Sequence, residues 1–269
     1  MQPLLRAQDL VKRYSKKKFV NSGEDLLALD GVSLSIVAGT TLAIVGESGS
    51  GKSTLAFCLA CLERPTSGSI WFGDKDIAKL AEKDLPQVRP KIQLIFQDPA
   101  NSLNQRWNVL EILSEPMILQ GRMNRNEIRQ DAHTLLEKVG LSSELGERSP
   151  RELSGGQRQR LAIARALALK PEVLILDEAL SALDCSVQAQ IANLLMEVES
   201  SLGITYLFIT HDLAMAAHLA DEIVVMNRGH IVEQGPTEKI LKLPQHETTH
   251  QLLAAVPRLT WSARPAPEQ

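Results

Sequence analysis

An apolar run at residues 42–45 opens without a spacer into Gly46-Glu47-Ser48-Gly49-Ser50-Gly51-Lys52-Ser53. Glycines at these positions let the backbone curl so that successive N–H groups face one point. Past Ser53 and Thr54, the apolar residues Leu55, Cys58, Leu59 and Leu62 recur at helical spacing, so a strand precedes the loop and a helix follows it. The stretch fits the pattern G-x-x-x-x-G-K-[ST], and strand-then-helix is the context that pattern requires. Its backbone and the positive end of the helix would cradle phosphates. Lys52 would neutralise the β- and γ-phosphates, and the Ser53 hydroxyl would ligate Mg²⁺.

Three further apolar runs, at 92–96, 173–176 and 206–209, read as buried parallel strands. Each also ends in polar chemistry: Gln97 after the first, Asp177-Glu178 after the second, Thr210-His211 after the third. Open α/β sheets bind ligands beyond the carboxyl ends of their strands. Motifs distant in sequence are therefore expected to converge on one edge. Asp177 suits the second Mg²⁺ position, and Glu178 can orient and deprotonate an attacking water.

Helices fill the gaps. Val187, Ile191, Leu194, Leu195, Val198 and Leu202 share one face that Gly203 ends, and Ile128, Ala132, Leu135, Leu136 and Val139 another that Gly140 ends. The stretch from about 98 to 150 has little strand signal and reads as an inserted helical lobe. Residues 32–36 and 70–72 suggest an antiparallel flap.

Leu153-Ser154-Gly155-Gly156-Gln157, followed by Arg158-Gln159-Arg160, opens a helix rich in Ala, Leu and Arg, with Ser154 as its cap. This pentapeptide resembles the signature of ATP-binding cassette (ABC) proteins, and the resemblance extends over nearly the whole chain with every motif in family order. It implies an α/β fold: a P-loop NTPase (RecA-like) core with an N-terminal antiparallel β flap and an inserted α-helical subdomain. It implies one nucleotide-binding domain at 1–243, with core at 1–97 and 155–243 and a helical subdomain at about 98–154, then a short tail at 244–269. ATP with Mg²⁺ is then the ligand, held by Gly46 to Thr54, with Tyr14 stacking on adenine. Ser154, Gly155, Gly156, Gln157 and Asp184 would reach the ATP of a second cassette, a copy of this chain or a paralogue. Gln97 resembles the glutamine that touches Mg²⁺ and water, Ser181-Ala182-Leu183-Asp184 the D-loop, and His211 the histidine that reads the γ-phosphate.

The stretch 96–104 (Phe-Gln-Asp-Pro-Ala-Asn-Ser-Leu-Asn) is similar to the di/oligopeptide and nickel importer group, as is Pro244-Gln245-His246 leading to Pro257. Gln105, Ala179 and Glu247-Thr248 depart from that group's pattern without touching the ATP chemistry. The resemblance implies an ATPase powering solute uptake from the cytoplasmic face of the cell membrane. Its partners would be transmembrane permease subunits, docked near residues 100–103, and indirectly a solute-binding protein. A soluble non-transport cassette, an exporter or a nickel system stay open as alternatives. A net charge of −3 lacks the basic footprint of a nucleic-acid binder, and no apolar run reaches the roughly 20 residues of a membrane span. Three cysteines form no disulfide framework. Cys58 and Cys61 read as core, His246 and His250 as surface helix, and Lys16-Lys17-Lys18 as a solvated loop.

Overall fold

The computed structural model describes residues 3–15, 25–98 and 102–256. Lys16–18, Pro99, Ala100, Asn101 and Pro257 lie outside the described residues, so the lysine cluster and the first half of the permease-docking segment do too. The chain forms two compact units. One combines the residues up to Pro86 with those from Thr205 onward, and the other is Gln87–Ile204.

In the first unit, β1 (Pro3–Tyr14), β2 (Leu26–Val37), β4 (Ser67–Phe72) and β5 (Lys75–Asp76) form an antiparallel sheet in the order β2-β1-β4-β5. The sequence suggests β2 and β4 but not β1, which lies between them. Its alternation breaks at Asp9, a bulge with φ 47 whose amide bonds the Ser33 hydroxyl. The second sheet of this unit contains β3 (Thr41–Val45), β8 (Thr205–Thr210), β9 (Glu222–Asn227) and β10 (His230–Pro236). β3 pairs in parallel with β8 on one side and β9 on the other, and β10 adds to β9 antiparallel. Every residue of β3 and β8 is buried, which is why both read as continuous apolar runs. β9 is a further buried run, not among the four apolar runs read in the sequence, and it ends in a plain Asn-Arg-Gly turn. α6 (Leu213–Leu219), α7 (Thr237–Lys242) and α8 (Glu247–Ala255) belong to this unit, with Leu213, Ile240 and Leu252 packed on Ala43, Val45, Ile223 and Val225.

α1 (Lys52–Leu59) follows the glycine-rich loop but stops a turn earlier than its apolar pattern suggests. Cys61 takes a left-handed φ of 56, and Leu62 is exposed. The helical phase of Leu62 was coincidental.

In the second unit, β6 (Ile92–Ile95) and β7 (Val173–Asp177) pair in parallel, with Ile95 opposite Leu176. Phe96, expected to end the first run, lies past the strand and is exposed. Between the two strands the described residues are helical or irregular: α2 (Val109–Leu119), α3 (Arg125–Lys138) and α4 (Gly155–Leu167). α2 starts on a reciprocal cap, Asn108 accepting from Glu111 N–H while the Glu111 carboxylate accepts from Asn108 N–H. α5 (Cys185–Leu202) ends at Gly203, whose φ of 65 suits a left-handed C-cap.

Candidate active site

The first unit carries the glycine-rich loop, the expected phosphate cradle. β3 delivers Gly46 into a narrow place, since a Cβ there would lie 2.3 Å from the Met226 carbonyl oxygen of β9. At Gly51, with φ 103, a Cβ would lie 2.4 Å from the Ala28 carbonyl oxygen. No side chain fits either position, so the loop is wedged between β2 and β9 with its backbone as the wall. Ser50 is hung from the β9–β10 turn by its carbonyl, which accepts from Gly229 N–H at 2.9 Å. Glu47, Ser48 and Gly49 form an exposed apex above this buried base.

Lys52 is only 4% exposed and folds back over the loop, its Nζ donating to the carbonyls of Gly46 (2.9 Å) and Glu47 (2.8 Å). A cation held by loop carbonyls at a helix start, with no acidic residue in the helix's first turn, suits an anion. Ser53 and Thr54 are half-buried in that first turn. The register of β3 with β8 sets Val45 opposite Thr210, so Gly46 and His211 leave neighbouring strands side by side. His211 is exposed, and Asp212 beside it caps α6 by accepting from Ala214 N–H. Tyr14 ends β1 half-buried, with the Lys12 ammonium 4.9 Å from its ring centroid. One ring face therefore meets a cation.

The second unit carries the carboxylates. Asp177 closes β7 at 6% exposure, and Glu178 follows at φ 47. The register of β6 with β7 brings Gln97 beside them. The exposed Gln97 side chain donates from Nε2 to the Ser181 hydroxyl at 3.3 Å, and that hydroxyl donates to the Glu178 carbonyl at 2.8 Å. Ser181 reads from sequence only as the first residue of the D-loop. Its link to Gln97 spans 84 residues and leaves no local pattern.

Ser154 caps α4 reciprocally: its hydroxyl accepts from Gln157 N–H at 3.2 Å, and Gln157 Oε1 accepts from Ser154 N–H at 2.9 Å. The two glycines differ. A Cβ on Gly155 would sit 3.5 Å from Leu183, an ordinary contact, whereas on Gly156 it would sit 2.7 Å from Val187 Cγ1. Gly156 thus has a packing role inside the chain, letting the start of α4 approach α5. Asp184 caps α5 by accepting from Val187 N–H at 3.0 Å. That bond, with help from the Ser186 hydroxyl, holds its carboxyl below the usual carboxylate range. The signature and the D-loop are therefore neighbours, presented as two helix starts.

The remaining signals resolve into packing. Burial pushes the Cys58 thiol up to about 12, which keeps it a protonated core group. His246 caps α8, its Nδ1 accepting from Thr248 N–H at 3.1 Å, and His250 is exposed on the same helix. No helix of the described residues is long and apolar enough to cross a membrane.

A family model described as "ABC transporter" matches residues 29–181. The dipeptide transport ATP-binding protein DppF of Escherichia coli (strain K12) is 47% identical over 259 residues, covering 96% of this chain and 78% of that protein. The oligopeptide transport ATP-binding protein OppF of Lactococcus lactis subsp. lactis (strain IL1403) is 41% identical, covering 98% of this chain and 83% of its own. Among solved structures, the ATP-binding cassette MJ0796, dimeric and bound to ADP and Pi after hydrolysis, matches with a TM-score of 0.78 at 31% identity, over 87% of this chain and 98% of that one. CbiO1 from Clostridium perfringens, part of the ABC transporter complex cbiONQ, gives 0.77 at 30% identity over 94% and 99%.

Proposed function

The chain belongs to the ABC transporter family, and we propose that it is the subunit whose ATP hydrolysis powers uptake of di- or oligopeptides. It is an ATP-binding, ATP-hydrolysing protein with the fold of ABC cassettes. The observation that carries the chemistry is the cradle: glycines that exclude any Cβ, closed by a buried lysine. The peptide cargo is supported by the transport functions in the relatives' names.

In this reading Gly46 to Thr54 surround the ATP phosphates, and Lys52 exchanges its loop carbonyls for β- and γ-phosphate oxygens. Ser53, Gln97 and Asp177 offer a hydroxyl, an amide and a carboxylate, an oxygen-donor set suited to a hard cation such as Mg²⁺. When bound, Mg²⁺ neutralises charge on the phosphate oxygens. Glu178 orients the attacking water and takes its proton, and His211 contacts the γ-phosphate. Tyr14 supports adenine. Ser154 to Gln157 and Asp184 face the ATP of a second cassette, this chain's copy or a paralogue. Permease subunits dock near residues 100–103 and hold the protein at the cytoplasmic membrane face, with a solute-binding protein acting indirectly.

Mixing two inactive variants tests the shared site. Lys52→Ala breaks the cradle, and Ser154→Arg blocks the signature. Each alone is expected to be inactive in a symmetric dimer, since both sites carry the lesion. In mixed dimers one site gathers both lesions and the other is intact, so random pairing should restore roughly a quarter of wild-type hydrolysis. Mixed dimers that form but recover neither ATP-dependent closure nor hydrolysis would overturn the trans arrangement. If the partner is a paralogue, the two lesions are placed on complementary halves of one site.

A further inference from the structure

A serine hydroxyl has one proton to give and two lone pairs to receive with. At Ser181 that proton is committed, because it goes to the Glu178 carbonyl, a group that can only accept (2.8 Å). Toward Gln97 the hydroxyl is therefore an acceptor, and only the NH₂ end of the Gln97 amide can meet it (3.3 Å). The network decides which end of the amide faces Ser181, and the carbonyl oxygen is left to other partners. The Ser181 amide also donates to the Glu178 carbonyl, at 3.1 Å, so one residue closes the turn that carries Glu178 at φ 47. Side chains rarely adopt that left-handed conformation without being held there.

We propose that Ser181 is a positioning residue that orients Gln97, turning its amide oxygen outward as a ready metal ligand, while the same hydroxyl steadies the backbone of Glu178. The inference rests on the reading above, in which Gln97 contributes to Mg²⁺ binding. It assigns Ser181 a role within its own chain, separate from any contact the D-loop makes with a second cassette. Gln97 is exposed, so water competes for its amide and the advantage is one of preorganisation.

The test is calorimetric titration of Mg²⁺ into the full chain saturated with a non-hydrolysable ATP analogue. Ser181→Ala should weaken Mg²⁺ binding roughly threefold to tenfold, the scale of one hydrogen bond, while leaving Mg²⁺-free analogue binding unchanged. Ser181→Thr keeps the hydroxyl and should restore the wild-type value. In a Gln97→Ala background, Ser181→Ala should add no further loss, because its effect passes through Gln97. Hydrogen exchange on the nucleotide-free chain supplies an independent readout: amides 179–183 should exchange faster in Ser181→Ala and normally in Ser181→Thr. If Gln97→Ala weakens Mg²⁺ binding and Ser181→Ala does not, the positioning role is wrong and the wider reading stands. Should Gln97→Ala itself leave Mg²⁺ binding unchanged, the role of Gln97 fails and this proposal fails with it.

Discussion

At the cradle, a methyl group on Gly46 or Gly51 would meet a backbone carbonyl at 2.3 or 2.4 Å, whereas at the signature one on Gly155 would meet only the Leu183 side chain at 3.5 Å. The contrast continues in the polar groups. Lys52 is buried against the carbonyls of its own loop, while Gln97, Ser154 and Asp184 are exposed and held by single caps or one side-chain bond. The cradle is shaped by backbone packing from its own unit. The signature and D-loop are presented on helix starts, where each capping bond contributes on the order of 1 kcal/mol. One region is built to be rigid on its own. The other presents its polar groups to solvent on single bonds, as the proposed trans role would use them.

The largest expected effect falls on the chemistry, and it separates binding from turnover. Glu178→Gln keeps the turn and leaves the cradle untouched, so ATP affinity should match wild type. Hydrolysis in the assembled transporter should fall roughly 10²- to 10⁴-fold with the proposed general base removed. Wild-type turnover in this variant would show that another group takes the proton.

Next in size is a test of rigidity. Gly51→Ala forces a side chain against the Ala28 carbonyl at φ 103 and is expected to cost about 3 kcal/mol or more of stability, with ATP binding lost. Gly155→Ala should leave the urea midpoint nearly unchanged. Equal costs at the two sites would break the contrast between them.

Part of this contrast is legible in the sequence. The cradle announces itself because its shape needs glycines at fixed spacing, and the cap at Ser154 because helix starts use few residue types, whereas the cap at Asp184 is seen only in the fold. What the glycines avoid is not legible. Met226 and Ala28 act through carbonyl oxygens, which carry no residue signature. The partner of Gln97 and the contact of Gly156 with Val187 are long-range for the same reason: nothing local demands a serine at 181 or a valine at 187. β1 escapes because its Asp9 bulge breaks the alternation on which strand reading depends.

A smaller effect divides two roles at Ser154. Ser154→Ala removes the cap and should cost about 1 kcal/mol in urea unfolding. Ser154→Asp keeps a cap of similar strength and adds a charge the helix N-terminus favours, so stability should hold or rise. Hydrolysis should nonetheless collapse in Ser154→Asp, because the reading brings a γ-phosphate to that carboxylate. Full activity in Ser154→Asp would mean that Ser154 is a cap and nothing more.

The smallest expected effect is in pH dependence at the other helix start. Asp184 is held below the usual carboxylate range by the N–H of Val187 and the Ser186 hydroxyl. The folded state therefore binds the proton more weakly than the unfolded chain, whose aspartate titrates near about 3.9. The stability this contributes is fully present above about pH 4 and is lost as pH falls through the lower folded value. Asparagine caps helices about as well as aspartate and does not titrate. Wild type and Asp184→Asn should therefore show similar urea midpoints at pH 7, and wild type should lose stability relative to Asp184→Asn only below about pH 4. If the Asp184→Asn difference were flat with pH, the carboxylate would be no better held folded than unfolded.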